Sequence, residues 1–449
     1  MLIRANITDP VLLTSSYLSD EEIEQMAIQS QFQSRKPKKI VPAIFIRLLL
    51  EQAVKHSPSY NDIASNMQTH TNVSVSRQAI CKRVDESCVR FVELILAKLI
   101  SAKIPYEQLL RNDTADIYQR ILVQDSTVIR LPSRLYGTFS GVSNGHAKVC
   151  NARIQSVYDL KSGKYISFSI DTYSKNDLSA APELVLEAGD LVLRDRGYLT
   201  AAEIKRHIDK GADCIYRHKH KYIYLDPETK KPIDLAHMLK QYGRLDCQVL
   251  LNNEEQTPVR LVAAPVSEEI ANLRRMKAKK EQNGHAPSKE NLAMMSWTIF
   301  ITTIKQQRAS FKDLLAIYGL RWRIECIFKT WKSNMNFATI HNVSEHQLRT
   351  IITLRLSMLV IIFHNLFTPL RYRIRTDFGK HLSMMKFLRY LQVNPKCVTS
   401  LNQLLTQPPA PNESLLKAIT RYCVYEERKN RINYSQIEEQ LLEMLTKKN

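Results

Sequence analysis

The stretch Ile121-Leu122-Val123-Gln124-Asp125-Ser126-Thr127-Val128 decides the fold class. Upstream of it apolar residues recur at helical spacing. From about residue 119 onward the spacing becomes that of strands, and β-branched side chains are frequent up to Leu131. Asp125 stands in the middle of this apolar run, where a carboxylate is costly unless it is paired or metal-bound. Downstream, Lys148 to Asp159 and Lys164 to Asp171 form a hairpin pattern around Lys161-Ser162-Gly163. A short helix is expected from Ser179 to Glu187. Leu191-Val192-Leu193 reads as a brief buried strand with Asp195 at its end, and Thr200 to Lys210 as a helix. Further strand patterns follow at Cys214 to Tyr216, Tyr222 to Leu225, Cys247 to Leu251 and Val259 to Ala264. A charged helix from Ser267 to about Gln282, a loop from Asn283 to Ser288 and a last strand starting at Trp297 complete this part. Beyond Arg308 the pattern is helical, broken at Gln407-Pro408-Pro409-Ala410-Pro411. The chain is therefore read as α/β with helical regions on either side.

The region before residue 119 opens a helix at Ser19-Asp20-Glu21-Glu22, with acids at the positive end of the dipole. A basic loop, Ser34 to Lys39, follows. Helical patterns then start near Ser59 and Ser76. The second places Arg77, Gln78 and Lys82 beside an apolar stripe after an N-cap Ser. That suits the groove-entering helix of a helix-turn-helix, and it equally suits a solvated basic face on a packing helix.

Of the 449 residues, 44% are hydrophobic, enough for a large core and too many for a disordered chain. There are 64 Lys and Arg against 44 Asp and Glu, a formal charge of +20, which points to a polyanionic partner, most commonly nucleic acid. Basic ribosomal, membrane-surface and polyphosphate binders share that charge. The eight cysteines are scattered without C-x-x-C spacing, which excludes a zinc ribbon or a thioredoxin-like motif and fits a reducing cytoplasm. The N-terminus lacks a signal-peptide pattern. The most apolar run, Leu356 to Phe363, lies between Arg355 and His364 and is too short for the roughly 20 residues of a bilayer span, so a buried helix is expected and no membrane partner. No P-loop or G-x-S-x-G elbow is present.

The segment from Tyr318 to Lys332 carries the chemistry. On a helix of about 100° per residue, Tyr318, Arg321, Trp322, Glu325, Lys329 and Lys332 share one stripe, while Ile317, Leu320, Ile324, Ile327, Phe328 and Trp331 fill an apolar arc. The stripe reads as a phosphate platform with one carboxylate for a metal, or as an exposed helix laced by salt bridges. Asp125 and Asp195, each alone also compatible with a capping or turn role, would complete an all-oxygen site with Glu325. Such sites select magnesium or manganese over zinc.

Four residues, Tyr318, Arg321, Glu325 and Lys332, match the signature Tyr, two residues, Arg, three residues, Glu, six residues, Lys. In that respect the chain resembles the insertion-sequence-four family of DDE transposases. Asp195-Arg196-Gly197-Tyr198 matches the family's second acidic motif and Gln124-Asp125-Ser126-Thr127 its first. The resemblance covers roughly residues 119–340. It implies a ribonuclease H-like core with a β-rich insertion before Glu325, and two Mg2+ (or Mn2+) ions held by Asp125, Asp195 and Glu325. It implies that Tyr318, Arg321 and Lys332 grip phosphates. It also implies that an insertion-domain Trp stacks on a flipped base. Trp297 is the candidate, with a core Trp as the alternative, and Trp322 and Lys329 are further candidates for DNA contact.

The domains expected are a helical DNA-binding region over 1–115 and the first part of the core over 116–211. They continue with the β-rich insertion over 212–304, the rest of the core over 305–370, and a helical C-terminal region over 371–449, a candidate for dimerisation. The expected activity is that of a prokaryotic insertion-sequence transposase. It would act on double-stranded DNA at terminal inverted repeats and target DNA, as a homodimer, in the cytoplasm beside the nucleoid, cutting and pasting through hairpins. The alternatives are a non-catalytic transposase-derived regulator and a structure-specific nuclease on the same core.

Overall fold

The structure is a computed structural model, and it describes residues 18–35, 37, 39–53, 59–102, 117–141, 149–281, 287–335, 337–394, 396–406, 413–426 and 433–446. The expected loop Asn283 to Ser288 and the Pro-rich break lie largely outside these residues. In chain order the elements begin with helices α1 (Asp20–Gln29), α2 (Pro42–Ala53), α3 (Tyr60–Thr71), α4 (Arg77–Arg83) and α5 (Glu86–Ser101). Strands β1 (Arg120–Arg130), β2 (Asn151–Asp159), β3 (Lys164–Thr172) and β4 (Asp190–Arg194) follow, then α6 (Ala201–Asp209), β5 (Asp213–Arg217) and β6 (Tyr224–Leu225). Next come α7 (Leu235–Tyr242), β7 (Leu245–Leu251), β8 (Pro258–Pro265), α8 (Glu268–Glu281), α9 (Lys289–Met294) and β9 (Trp297–Thr302). The last part is helical: α10 (Phe311–Gly319), α11 (Trp322–Asn334), α12 (Glu345–Val360), a π-helical turn (Ile361–Phe367), α13 (Thr368–Phe378), and four more up to Thr446.

These form two compact units. The first comprises residues 1–114, 126–175 and 325–440, and the second residues 115–125, 176–324 and 441–449. In the first unit the β2–β3 hairpin pairs antiparallel from Ala152↔Thr172 to Asp159↔Lys164. Its turn closes because Asp159 accepts the N–H groups of Lys161 and Ser162, and because Gly163 adopts φ +70°. A Cβ on Gly163 would meet Thr368 Oγ1 at 2.9 Å, so this close approach also requires glycine. The core of this unit gathers fully buried Trp331 against Tyr165, Phe168, Phe328 and Phe337. The continuous helix Glu345–Phe378 is long and apolar enough to cross a membrane by length and composition. However, 94% of its apolar window is buried inside the protein, which makes it the buried helix expected.

In the second unit the strand order is β1-β4-β5-β9-β8-β7-β6, with β1, β4 and β5 parallel and the remaining pairs antiparallel. Every residue of β4 is buried, consistent with a parallel strand covered on both faces. The expected helix at Ser179 to Glu187 is absent. The chain there makes turns and then runs extended, because Pro182 lacks an N–H and disfavours helix at Ala181, while Asn176 Oδ1 takes the N–H of Ser179. The short helices α7 and α9 were not read from the sequence.

Candidate active site

The parallel pairing of β1 and β4 runs from Arg120↔Asp190 to Gln124↔Arg194. Asp125, in the middle of β1, and Asp195, directly after β4, follow the last paired residues, so the register brings the two side by side where β4 ends. Loops at this edge are where open α/β sheets commonly place their ligands. Asp195 starts a short 3-10 turn, Arg196–Tyr198, and its side chain makes no cap hydrogen bond to it. Tight packing fixes that turn: a Cβ on Gly197 would meet Asp177 Oδ2 at 3.3 Å.

Two signature residues converge on this pair. The Tyr318 hydroxyl donates to the Arg194 carbonyl at 3.3 Å and lies 3.5 Å from Asp195 Oδ1. Burial pushes its phenol well above the usual range, so it stays a donor. Arg321 Nη1 donates to Asp125 Oδ2 at 2.8 Å, and its guanidinium stands 5.7 Å from the Tyr318 ring. The side chains of Arg321 and Asp125 keep 14% and 19% of their surface exposed, so the ion pair remains open to solvent.

The remaining signature residues belong to the first unit. Glu325 lies in the first turn of α11 and is partly buried. Lys332 Nζ donates to the Val128 carbonyl at 2.8 Å, and Lys329 is exposed. The apolar arc read from the sequence is buried throughout: Ile317, Leu320, Ile324, Ile327, Phe328 and Trp331. The helix is not continuous, however. It breaks between Gly319 and Trp322, where the N–H of Arg321 bonds the Tyr318 carbonyl in a turn.

Trp297 is partly buried at the start of β9, and its indole N–H donates to the Gly243 carbonyl at 3.0 Å. Trp322 is 55% exposed at the start of α11. Arg77, Gln78 and Lys82 are exposed on α4, which follows α3 after a turn through left-handed Asn72.

Sequence reasoning missed the buried layer beneath Asp195. Arg194 is 1% exposed and pairs with Glu203 of α6 at 2.5 Å, and Glu203 also takes Arg206 at 2.9 Å. This anchors the end of β4 to the helix behind it. The available signal was Arg194 itself, a cation closing an apolar strand.

The donor chemistry suits a hard divalent cation, since the Asp pair offers only oxygen. Among the described residues no group of three or more His, Cys, Asp or Glu side chains is arranged to hold a metal ion, and Arg321 occupies one oxygen of Asp125. A groove of about 950 Å³ lies elsewhere in the second unit, lined by Asp213, Asp246, Arg260 and Arg308, and none of the signature residues lines it.

Comparison with known proteins follows the same region. The family described as "Transposase DDE domain" matches residues 119–361. The chain is 25% identical over 403 residues to the transposase for insertion sequence element IS231B of Bacillus thuringiensis subsp. berliner, covering 84% of this chain and 83% of that one. It is 22% identical over 401 residues to the transposase for insertion sequence element IS1151 of Clostridium perfringens, covering 84% of each. A piggyBac transposase synaptic complex with hairpin DNA aligns over 96% of this chain and 89% of its own, with a TM-score of 0.43 and 12% identity.

Proposed function

Because the chain belongs to the Transposase DDE domain family, we propose that it is the transposase of a prokaryotic insertion sequence, cutting and rejoining DNA at terminal inverted repeats. The observation that carries the reading is the register that sets Asp125 of β1 beside Asp195 at the end of β4, each touched by a signature residue, Arg321 and Tyr318. The parallel β1 and β4 would be the centre of a ribonuclease H-like core, and β5 to β9 the insertion ahead of Glu325. The division into 1–115 for DNA binding, 116–211 and 305–370 for the core, 212–304 for the insertion and 371–449 for dimerisation belongs to the same reading.

Asp125, Asp195 and Glu325 would hold two Mg2+ or Mn2+ ions. When bound, such a pair activates water or a 3′-hydroxyl and stabilises the leaving oxygen. The chain's own groups do the positioning. Arg321 and Lys332 each already grip an oxygen acceptor, Asp125 Oδ2 and the Val128 carbonyl, and a DNA phosphate would compete for these donors as a charge-assisted partner. Tyr318 holds Asp195 against the end of β4. Trp322 presents the more exposed indole for stacking on a flipped base, whereas Trp297 has its N–H committed to Gly243. Lys329 and the α4 residues Arg77, Gln78 and Lys82 extend the DNA-contacting surface. Cut-and-paste through hairpins, action as a homodimer on paired ends, and a cytoplasmic, nucleoid-bound location complete the reading.

The test is a cleavage assay on the native flanking inverted repeats with Mg2+. Asp125→Ala, Asp195→Ala and Glu325→Ala should each lose nicking and strand transfer while retaining end binding in a gel shift. Normal cutting by all three variants would refute the assignment. End binding without cutting by the wild-type chain would favour a regulator, and cutting of branched DNA without joining would favour a nuclease.

A further inference from the structure

In the first unit, a cavity of about 70 Å³ lies among α2, the start of α3, residues 339–343 and α12. Its walls are mostly apolar, Ile63 and Leu354 among them, yet three polar side chains line it that the fold leaves incompletely bonded.

Arg355 is 2% exposed. One edge of its guanidinium clamps the backbone: Nε donates to Ala53 O at 2.8 Å, and Nη1 donates to Phe337 O at 3.0 Å and Thr339 O at 2.9 Å. The other edge, Nη2, donates to nothing, and among the described residues no carboxylate pairs with this cation. Burial without a counter-charge pushes its pKa down to about 10. Gln52, also 2% exposed, makes no hydrogen bond through either Oε1 or Nε2 among the described residues. Thr350 Oγ1, 1% exposed, has at most the weak Cys88 thiol as a partner. Leaving such a buried group unsatisfied is costly. Ser59 and Tyr60 border the cavity at the amino-terminal end of α3, which adds the positive end of a helix dipole.

Size and chemistry together select the guest. The cavity is about half of the roughly 150 Å³ that accommodates benzene, so a nucleobase does not fit, whereas a group of about five heavy atoms does. Arg355 Nη2 and Gln52 Nε2 ask for acceptors on a guest carrying one negative charge. Gln52 Oε1 asks for a donor. A tetrahedral oxyanion bearing a hydroxyl meets all of these at once.

We propose that this cavity is a binding site for a small protonated oxyanion of the phosphate class, held by Arg355, Gln52 and Thr350. Sulfate has the same shape and lacks the hydroxyl at neutral pH, so it leaves Gln52 Oε1 unmet. A site built to hydrogen-bond a hydroxyl discriminates against the analogue without one.

The experiment is thermal unfolding of the full chain at constant ionic strength, titrated with inorganic phosphate or with sulfate, for wild type, Gln52→Leu and Thr350→Val. A saturable phosphate response that exceeds the sulfate response, and that weakens on the order of tenfold in either variant, is expected. The comparison removes the unspecific anion effect of a basic chain. Equal responses to the two anions, or a phosphate response unchanged in both variants, would overturn the proposal. If neither variant folds, a crystal structure of the wild-type chain grown in phosphate decides: tetrahedral density within hydrogen-bond distance of Arg355 Nη2 supports the site, and waters alone or no density refute it.

Discussion

Burial sets the protonation state of His207 more strongly than any of its neighbours does. The ring is fully buried behind β4, Nδ1 lies 2.5 Å from the Glu203 carbonyl, and desolvation lowers its pKa from 6.5 to about 4. The unfolded chain takes up this proton near pH 6.5 and the folded chain only near 4. The stability it confers is therefore complete above pH 6.5 and is lost as pH falls from 6.5 towards 4. His364, which accepts the Tyr165 N–H at 2.8 Å in the first unit, behaves alike with a pKa near 3. Replacing His207 with Asn should flatten the decline in unfolding free energy between pH 7 and 4.5 by about 2 kcal/mol. Denaturant titrations at several pH values check this, and an unchanged slope would show that the ring does not titrate with folding. At this same scale the sequence was most legible. Asp125 and Asp195 stood out because a carboxylate within or ending an apolar strand needs a reason. Arg194 and Glu203 did not, since only the packing of α6 on the sheet reveals that they meet.

Strand register is what turns two distant aspartates into neighbours. At the opposite end of the β1–β4 pairing, Arg120 donates to both oxygens of fully buried Asp190, at 2.8 and 2.6 Å, and Asp190 also takes the Glu187 N–H. Arg120→Met should leave a buried carboxylate without its cation and destabilise the chain by about 3–5 kcal/mol. The double variant with Asp190→Asn should recover part of that. Chemical unfolding of the two variants measures the coupling, and a loss below 1 kcal/mol in the single variant would remove this pair from the register argument. The elements themselves were legible where periodicity was strong, as in β1, β7, β8 and the apolar arc around Trp331. They were misread where a local breaker overrode it. Pro182 prevents the helix expected over 179–187, and the turn at Leu320–Arg321 splits one helical stripe into α10 and α11.

A formal charge of +20 makes long-range attraction to nucleic acid a property of the entire chain. If six to ten phosphates are neutralised, the affinity for inverted-repeat DNA should fall by roughly 10³ to 10⁵ between about 50 and 200 mM salt. Filter binding over that range gives the slope directly. A flat dependence would mean that the basic residues do not meet the backbone.

The order of residues determined that this chain alternates from helix to strand to helix, that it carries a basic surface, and that Tyr318, Arg321, Glu325 and Lys332 recur at a diagnostic spacing. All of these are written in periodicity, composition and local intervals. Tertiary structure alone decided that Asp125 in β1 and Asp195 after β4 stand at equal height on neighbouring strands, that Arg321 rests on the first and Tyr318 on the second, and that Arg355 is buried with no carboxylate paired to it among the described residues. These follow from long-range pairing and desolvation, which depend on what the fold brings close and what it removes from water.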